Sequence, residues 1–435
     1  MNKEVRHTVF IGIGGIGMSA IARHYLRRDV PVFGYDKVAS DLTRALEAEG
    51  AIITYSEDTS TYPGWPEEYT EVIYTPAIPE RSVWRQFFAD YRPIKRARAL
   101  ANLANDGRCL AVAGTHGKTS TSAMLVHILE RCGMDPTAFI GGIMTETGTN
   151  YRLGASDLFI VEADEFDRSF LQLQPWAAAI TTTDEDHLDI YSDGNDLLNT
   201  FEAFVAQVSG PTFTAKNVLG TEAVGIPGST AWTSDVRVQD GAFTFTLHLG
   251  NELHATALHM PGEHNVYNAT LAAALAHHAG AQPQDIAEAL KSFKGIKRRF
   301  EYHLNTPDRV LIEDYAHHPT EIAALIDSIE ALYPEEPVCL CFQPHLFSRT
   351  RDFMEGFIDQ LSRVDQCILL PIYAAREQPI EGISSEILAR GIKCAIVVQP
   401  NDLPEAVRNI NNRINLVVGA GDIGLCVEPL KAVLS

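Results

Sequence analysis

The chain lacks any apolar run long enough to cross a bilayer, which excludes a helical membrane span. Its 7 cysteines contain no Cys-x-x-Cys pair. Neither a zinc site nor a disulfide framework is therefore expected, and reduced, buried thiols fit the scatter at positions 109, 132, 339, 341, 367, 394 and 426. Positive charge is scarce. Only 35 Lys and Arg stand against 56 Asp and Glu, a formal net charge of −21. That argues against nucleic acid and anionic membrane surfaces as partners. Screening over about 10 Å still lets a few basic residues hold an anionic small molecule. The opening residues, MNKEVRHTVF, lead straight into a strand pattern without signal-peptide character, so a cytoplasmic location is expected. With 435 residues the chain is too long for one core, and about two to four domains are expected.

What is present concentrates at residues 109–124, CLAVAGTHGKTSTSAM. Leu110, Ala111, Val112 and Ala113 read as a buried parallel strand. A tight turn, Gly114-Thr115-His116-Gly117, follows. Lys118, Thr119 and Ser120 then open a helix with Met124, Leu125, Ile128 and Leu129 on one face. Strand, glycine loop, Lys-Thr and helix hold a nucleoside triphosphate: backbone N–H groups and the helix N-terminus face the phosphates, Lys118 adds a point charge, and Thr119 can ligate Mg²⁺. Only the short form of the loop is there, since Val112 stands where the longer pattern has glycine. ATP is the expected ligand.

Three α/β segments follow from the pattern, with boundaries at 1–95, 96–296 and 297–435. The first opens with a strand running into Gly12-Ile13-Gly14-Gly15-Ile16-Gly17 and then a helix, the G-x-G-x-x-G context. Asp36 ends the next strand, where a ribose-contacting acid stands in dinucleotide sites. Physically, this loop lets a diphosphate approach the backbone. On residues alone NAD is one candidate, and the nucleotide stays open. Lys95, Arg96 and Arg98 read as a solvated linker and helix face.

The central segment places Glu162, Asp164, Glu165 and Asp167 after one strand and Asp184, Asp186, His187 and Asp189 after another. Those are the carboxyl ends of strands, where open α/β sheets bind ligands. Carboxylate, hydroxyl and phosphate oxygens there suit Mg²⁺, with His187 as a further candidate. Residues 211–260 read as a small antiparallel excursion. Asn265 and Asn268 flank the start of the next helix. The third segment repeats the strand-then-loop plan, with Glu313, Asp314, His317 and His318 after one strand and His345 and Arg349 after another.

In this order, GIGGIGMSA, AGTHGKTST, EADEFDRSF, DEDHLDIY, GEHNVYNA, KRRFE, EDYAHHPTEI, FQPH with SRTRD, and GAGDIG resemble the Mur ligase family of bacterial cell-wall synthesis. The resemblance covers essentially the whole chain. It implies a three-domain α/β enzyme: an N-terminal Rossmann-like domain for a UDP sugar, a central P-loop ATPase-type domain with a mostly parallel sheet, and a C-terminal Rossmann-like domain for an amino acid. The first glycine loop, at Gly14, Gly15, Ile16, Gly17, Met18 and Ser19, then takes UDP-N-acetylmuramate, with Asp36 beside it. The branch implied adds L-alanine, because residues 188–215 contain no lysine for the carbamylation that later-acting relatives use.

The resemblance further implies that Lys118 holds the β- and γ-phosphates, and that Thr119 and Glu162 bind one Mg²⁺ while His187 helps bind a second. Asn265 and Asn268 would face adenine, Arg299 the γ-phosphate and Asp314 the ribose. His345 and Arg349 would receive the amino-acid carboxylate. Many members have arginine where this chain has Leu346. A monomer or weak homodimer is expected, without nucleic-acid or membrane partners. The runner-up is a ligase that recycles a whole tripeptide. Folate-type polyglutamate ligases, a non-catalytic nucleotide-binding protein and a nicotinamide oxidoreductase stand further back.

Overall fold

Short apolar strands set the architecture. The computed structural model describes residues 5–184, 191, 194–214, 218, 220–375 and 377–435. His7–Ile11 and Val32–Tyr35 are almost wholly buried, as strands covered on both faces must be. They lie in a five-stranded parallel sheet ordered Ile52–Thr54, Val32–Tyr35, His7–Ile11, Thr70–Tyr74, Ile94–Lys95. The central sheet has seven strands, ordered Glu222–Ala223, Thr212–Thr214, Ala177–Ile180, Arg108–Ala113, Leu158–Glu162, Thr137–Phe139, Tyr151–Arg152, parallel except for the last pair. Its middle strand is therefore the one that feeds Gly114. A separate three-stranded sheet joins Ala231–Gln239, Ala242–Leu249 and Glu252–Leu258.

The third large sheet runs Glu301–Asn305, Val310–Asp314, Ile414–Val418, Val338–Phe342, Gln366–Leu369, Ala395–Val397, antiparallel only at its first pair. The chain packs into two compact units. One comprises Met1–Asp235, Phe245–Ala257 and Tyr267–Phe293, and the other Val236–Thr244, Leu258–Val266 and Lys294–Ser435. In the first unit one hydrophobic cluster runs from Phe10 and Ile21 through Ala111, Phe139 and Val161 to Phe204, so the five- and seven-stranded sheets share a core. In the second, two clusters cover opposite faces of the six-stranded sheet.

A buried polar knot helps fuse the two sheets of the first unit. Arg23, 3% exposed, pairs with Glu49 at 2.8 Å and donates to the Asn150 side-chain oxygen. Asn150 in turn donates to the Ile16 carbonyl at 2.6 Å and to Ser19 Oγ at 3.2 Å. Both polar groups of the Asn150 side chain are thus paired, which spares this part of the junction the cost of burying unpaired polarity.

The cysteines are free, but the burial expected of them fails at Cys394 and at the half-buried Cys132. Cys109, Cys339, Cys341, Cys367 and Cys426 are buried, and Cys394 is exposed. Burial pushes the Cys109 and Cys367 thiols up to about 12. Since thiolate is the reactive form, a thiol reagent at neutral pH is expected to label Cys394 fast, and the five buried thiols only after denaturation. Timed labelling with peptide mapping checks this; fast labelling of Cys339 or Cys341 contradicts it.

Candidate functional site

The strand, glycine loop and helix around Gly114–Gly117 form as their residues predict. The Arg108–Ala113 strand ends at Gly114, whose φ of +125° disfavours other residues. A Cβ there would collide with Thr181 Oγ1 and stand 2.8 Å from the Thr182 amide nitrogen. Gly117, at φ +82°, packs against the Asn268 side chain, which a Cβ would approach to 2.7 Å. The helix Lys118–Arg131 begins at the next residue. Thr182 laces the loop from outside: its carbonyl accepts from the Thr115 amide at 3.0 Å and its hydroxyl from the His116 amide at 3.0 Å.

Lys118 Nζ donates to the Gly114 carbonyl at 2.6 Å and lies 2.7 Å from Glu165, whose side chain is fully buried. Burial opposes the ammonium charge, but the carboxylates of Glu165, Asp164 and Glu162 outweigh it and hold the lysine above its usual pKa. Lys118 therefore stays a cation. Thr119 Oγ1 donates to Glu162 at 3.0 Å, and the other Glu162 oxygen accepts from the Gly141 amide at 2.7 Å. Burial raises the Glu162 pKa, partly offset by Lys118 and these two donors. A hydroxyl and a carboxylate side by side form a hard oxygen pair that fits Mg²⁺. His187 lies outside the described residues. Ser120 is buried in the helix's first turn.

In the other glycine loop, partners within the fold engage two of the predicted residues, Asp36 and Ser19. The Gly14 amide is already taken by Asp36, at 2.7 Å. Asp36 thus braces the loop from inside. Ser19 is fully buried, bonded to the Ile16 carbonyl at 2.8 Å and to Asn150, so it stabilises the helix start. Gly15, Ile16, Gly17 and Met18 do line a cavity of about 330 Å³, whose far wall holds Gly141, Glu162 and Asp164. Arg96 lines it too, donating to Asp164 at 3.1 Å. The expectation of a solvated face holds for Lys95, paired with Asp167 at 2.9 Å, and for Arg98, but not for Arg96. Its partner is 68 residues away in sequence, so no local pattern could reveal it.

In the second unit, Arg299 lies over the Tyr315 ring, 5.3 Å from its centroid, and 3.9 Å from Glu321. Both Asp314 oxygens accept backbone amides, of Phe300 and Ala316, each at 2.8 Å. Burial nevertheless lifts its pKa to about 6. Asp314 therefore fixes the turn that presents Arg299. Arg298, absent from the sequence expectations as a site residue, donates to the Gly419 carbonyl at 2.7 Å and ion-pairs with Glu313. Asn265 donates to the Pro261 carbonyl at 2.7 Å.

His345 stacks on Tyr373 with centroids 5.6 Å apart, and lies 6.2 Å from the His317 ring. Arg349 sits in the following helix, Phe347–Asp352. Leu346 adopts φ +72°, a strained setting for a branched side chain, held by the hydrogen bond that its amide N–H donates to the Tyr373 carbonyl at 2.9 Å.

Comparison with known proteins matches three family models in succession: Mur ligase family, catalytic domain, over residues 7–108; Mur ligase middle domain, over 112–276; and Mur ligase, glutamate ligase domain, over 298–426. The UDP-N-acetylmuramate–L-alanine ligase of Christiangramia forsetii is 42% identical across 99% of this chain and 98% of its own. That of Cytophaga hutchinsonii is 41% identical, across 99% and 97%. Among solved structures, the UDP-N-acetylmuramate-alanine ligase of Thermotoga maritima superposes with a TM-score of 0.84 at 26% identity, covering 98% of both chains. A murein peptide ligase from Psychrobacter arcticus shares the fold, with a TM-score of 0.72 at 20% identity across 99% and 98%.

Proposed function

This chain belongs to the Mur ligase family, and on that premise we propose that it joins L-alanine to the carboxylate of UDP-N-acetylmuramate with conversion of ATP to ADP and phosphate. The observation that carries the reading is the arrangement of Lys118, Thr119 and Glu162, with Glu162 also lining a cavity that opens on the first glycine loop. Full-length relatives of that name support the choice of substrates.

The chemistry follows from charge. A carboxylate oxygen attacks the γ-phosphorus of ATP, and the bond to the β,γ-bridging oxygen breaks to release ADP. The acyl phosphate so formed is attacked at its carbonyl carbon by the amine of L-alanine, and phosphate departs as the amide forms. Both steps crowd anions together, so preorganised positive charge and N–H donors supply most of the acceleration. In this reading Lys118 and the loop amides bind the β- and γ-phosphates. Asn265 and Asn268 serve the adenine, Asp314 the ribose, Arg299 the γ-phosphate, and His345 and Arg349 the carboxylate of L-alanine. Thr119 and Glu162 would hold Mg²⁺, which supplies charge neutralisation when bound.

The cytoplasm, where ATP and nucleotide sugars are made, is the proposed location. Among the described residues no helix is long and apolar enough to cross a membrane.

Metal binding is expected to depend on pH through Glu162. Its folded pKa is raised, so protons compete with Mg²⁺ at a pH where an exposed carboxylate is still ionised. Apparent Mg²⁺ affinity should therefore weaken as pH falls, and the weakening should vanish in Glu162→Gln. Titrating Mg²⁺ against ADP binding at several pH values checks this. A pH-independent affinity in the unaltered protein contradicts it.

A further inference from the structure

The cavity between the first glycine loop and Glu162 has acids on one wall and a single cation among its lining residues, Arg96. Glu162 and Asp164 both face this space. A substrate carboxylate entering it meets two like charges, and something must compensate. Arg96 is placed to do so. Its guanidinium lies against the backbone of Gly17, where an added Cβ would stand only 2.7 Å from Nη1. Its side chain keeps 21% exposure, so solvent and ligand reach it.

Among the described residues its one hydrogen bond runs from Nη2 to Asp164 at 3.1 Å. A guanidinium has five N–H donors in a planar fork that matches a carboxylate edge. The bond to Asp164 uses one of them. Asp164 is itself held by the Phe166 amide, at 3.2 Å, so it anchors the arginine in place.

We infer that Arg96 receives the carboxylate of the lactyl ether of UDP-N-acetylmuramate, and so selects the acid-bearing sugar over the parent UDP sugar that lacks this acid. The inference rests on the substrate reading above. It assigns Arg96 a role distinct from binding the diphosphate, which falls to the glycine loop. A sugar without this acid entering the cavity gives the guanidinium nothing to pair with beyond Asp164. The acid-bearing sugar gives it a second carboxylate and offsets the repulsion from Glu162.

The test compares three ligands by calorimetry without ATP or metal: UDP, UDP-N-acetylglucosamine, which lacks the lactyl acid, and UDP-N-acetylmuramate. In the unaltered protein the acid-bearing sugar should bind more tightly than the one that lacks the acid. Arg96→Ala and the bulkier Arg96→Gln should each shrink that preference by about tenfold to hundredfold, with UDP affinity unchanged. Arg96→Lys should restore part of it, because a point charge lacks the fork. Circular dichroism and melting curves confirm that the variants fold.

An unchanged preference in the folded variants overturns the inference alone. So does an equal loss for all three ligands, which puts Arg96 on the diphosphate. Failure of the unaltered protein to bind any of them overturns the parent reading and this inference with it.

Discussion

Replacing Lys118 with methionine is expected to lower turnover by about 10²–10³-fold or more, the scale of removing one preorganised charge from a phosphoryl-transfer site. The same change should destabilise the fold, because it strips the ammonium from Glu165, whose side chain has no solvent exposure. Breaking one side of a buried ion pair costs about 3–5 kcal/mol. The two effects separate by pH and by a second substitution. Without Lys118 the buried Glu165 carboxylate bears its desolvation cost without that ammonium, and protonation relieves the cost. The stability deficit is therefore smaller at acid pH than at neutral pH. Adding Glu165→Gln removes the stranded charge, so the double variant should regain much of the lost stability and none of the turnover. Denaturant melts at several pH values, with phosphate release measured in parallel, check both halves. Near-normal turnover in the single variant contradicts the role of Lys118.

The second large effect belongs to Gly114. Substitution by alanine places a Cβ against the Thr181 hydroxyl and 2.8 Å from the Thr182 amide nitrogen, at a φ of +125°. Backbone strain and overpacking together are expected to cost about 3 kcal/mol or more. The displaced loop amides should also lose ATP affinity. Gly133 is the matched control: its φ is +71° and nothing lies within 4 Å of an added Cβ. Gly133→Ala should cost only about 1–2 kcal/mol, the left-handed penalty alone, and leave nucleotide binding intact. Denaturation and nucleotide titration of both variants check this; equal destabilisation at the two positions contradicts it.

Elements whose cause is local were legible from sequence. The buried run before Gly114 and the helix face of Met124, Leu125, Ile128 and Leu129 need only near neighbours to be recognised, and all are fully buried. The strand ending in Glu162 and the helix opening at Pro319 were legible for the same reason. The membership in a family whose members share three successive domains was carried by motif order, which no single loop could have shown.

What sequence could not display is who meets whom across the fold. Asp36 reads as a ribose contact by spacing, yet its carboxylate accepts the Gly14 amide. Ser19 lies within the glycine-loop signature, yet Asn150, 131 residues on, draws it into the core. Arg96 hides in a basic cluster whose other members are solvated, because only the folded chain brings Asp164 and Gly17 to it. Arg298 and Asp314 likewise act on the turn that carries Arg299, through partners on distant strands.

Phosphate release from ATP and Mg²⁺ in the presence of UDP-N-acetylmuramate, with L-alanine, glycine, L-serine or the cell-wall tripeptide as acceptor, decides whether this chain is the proposed ligase. Release that requires both the UDP sugar and L-alanine, with formation of the amide-linked product, is expected. Release with the tripeptide but not with L-alanine, or none with any acceptor, would contradict that reading.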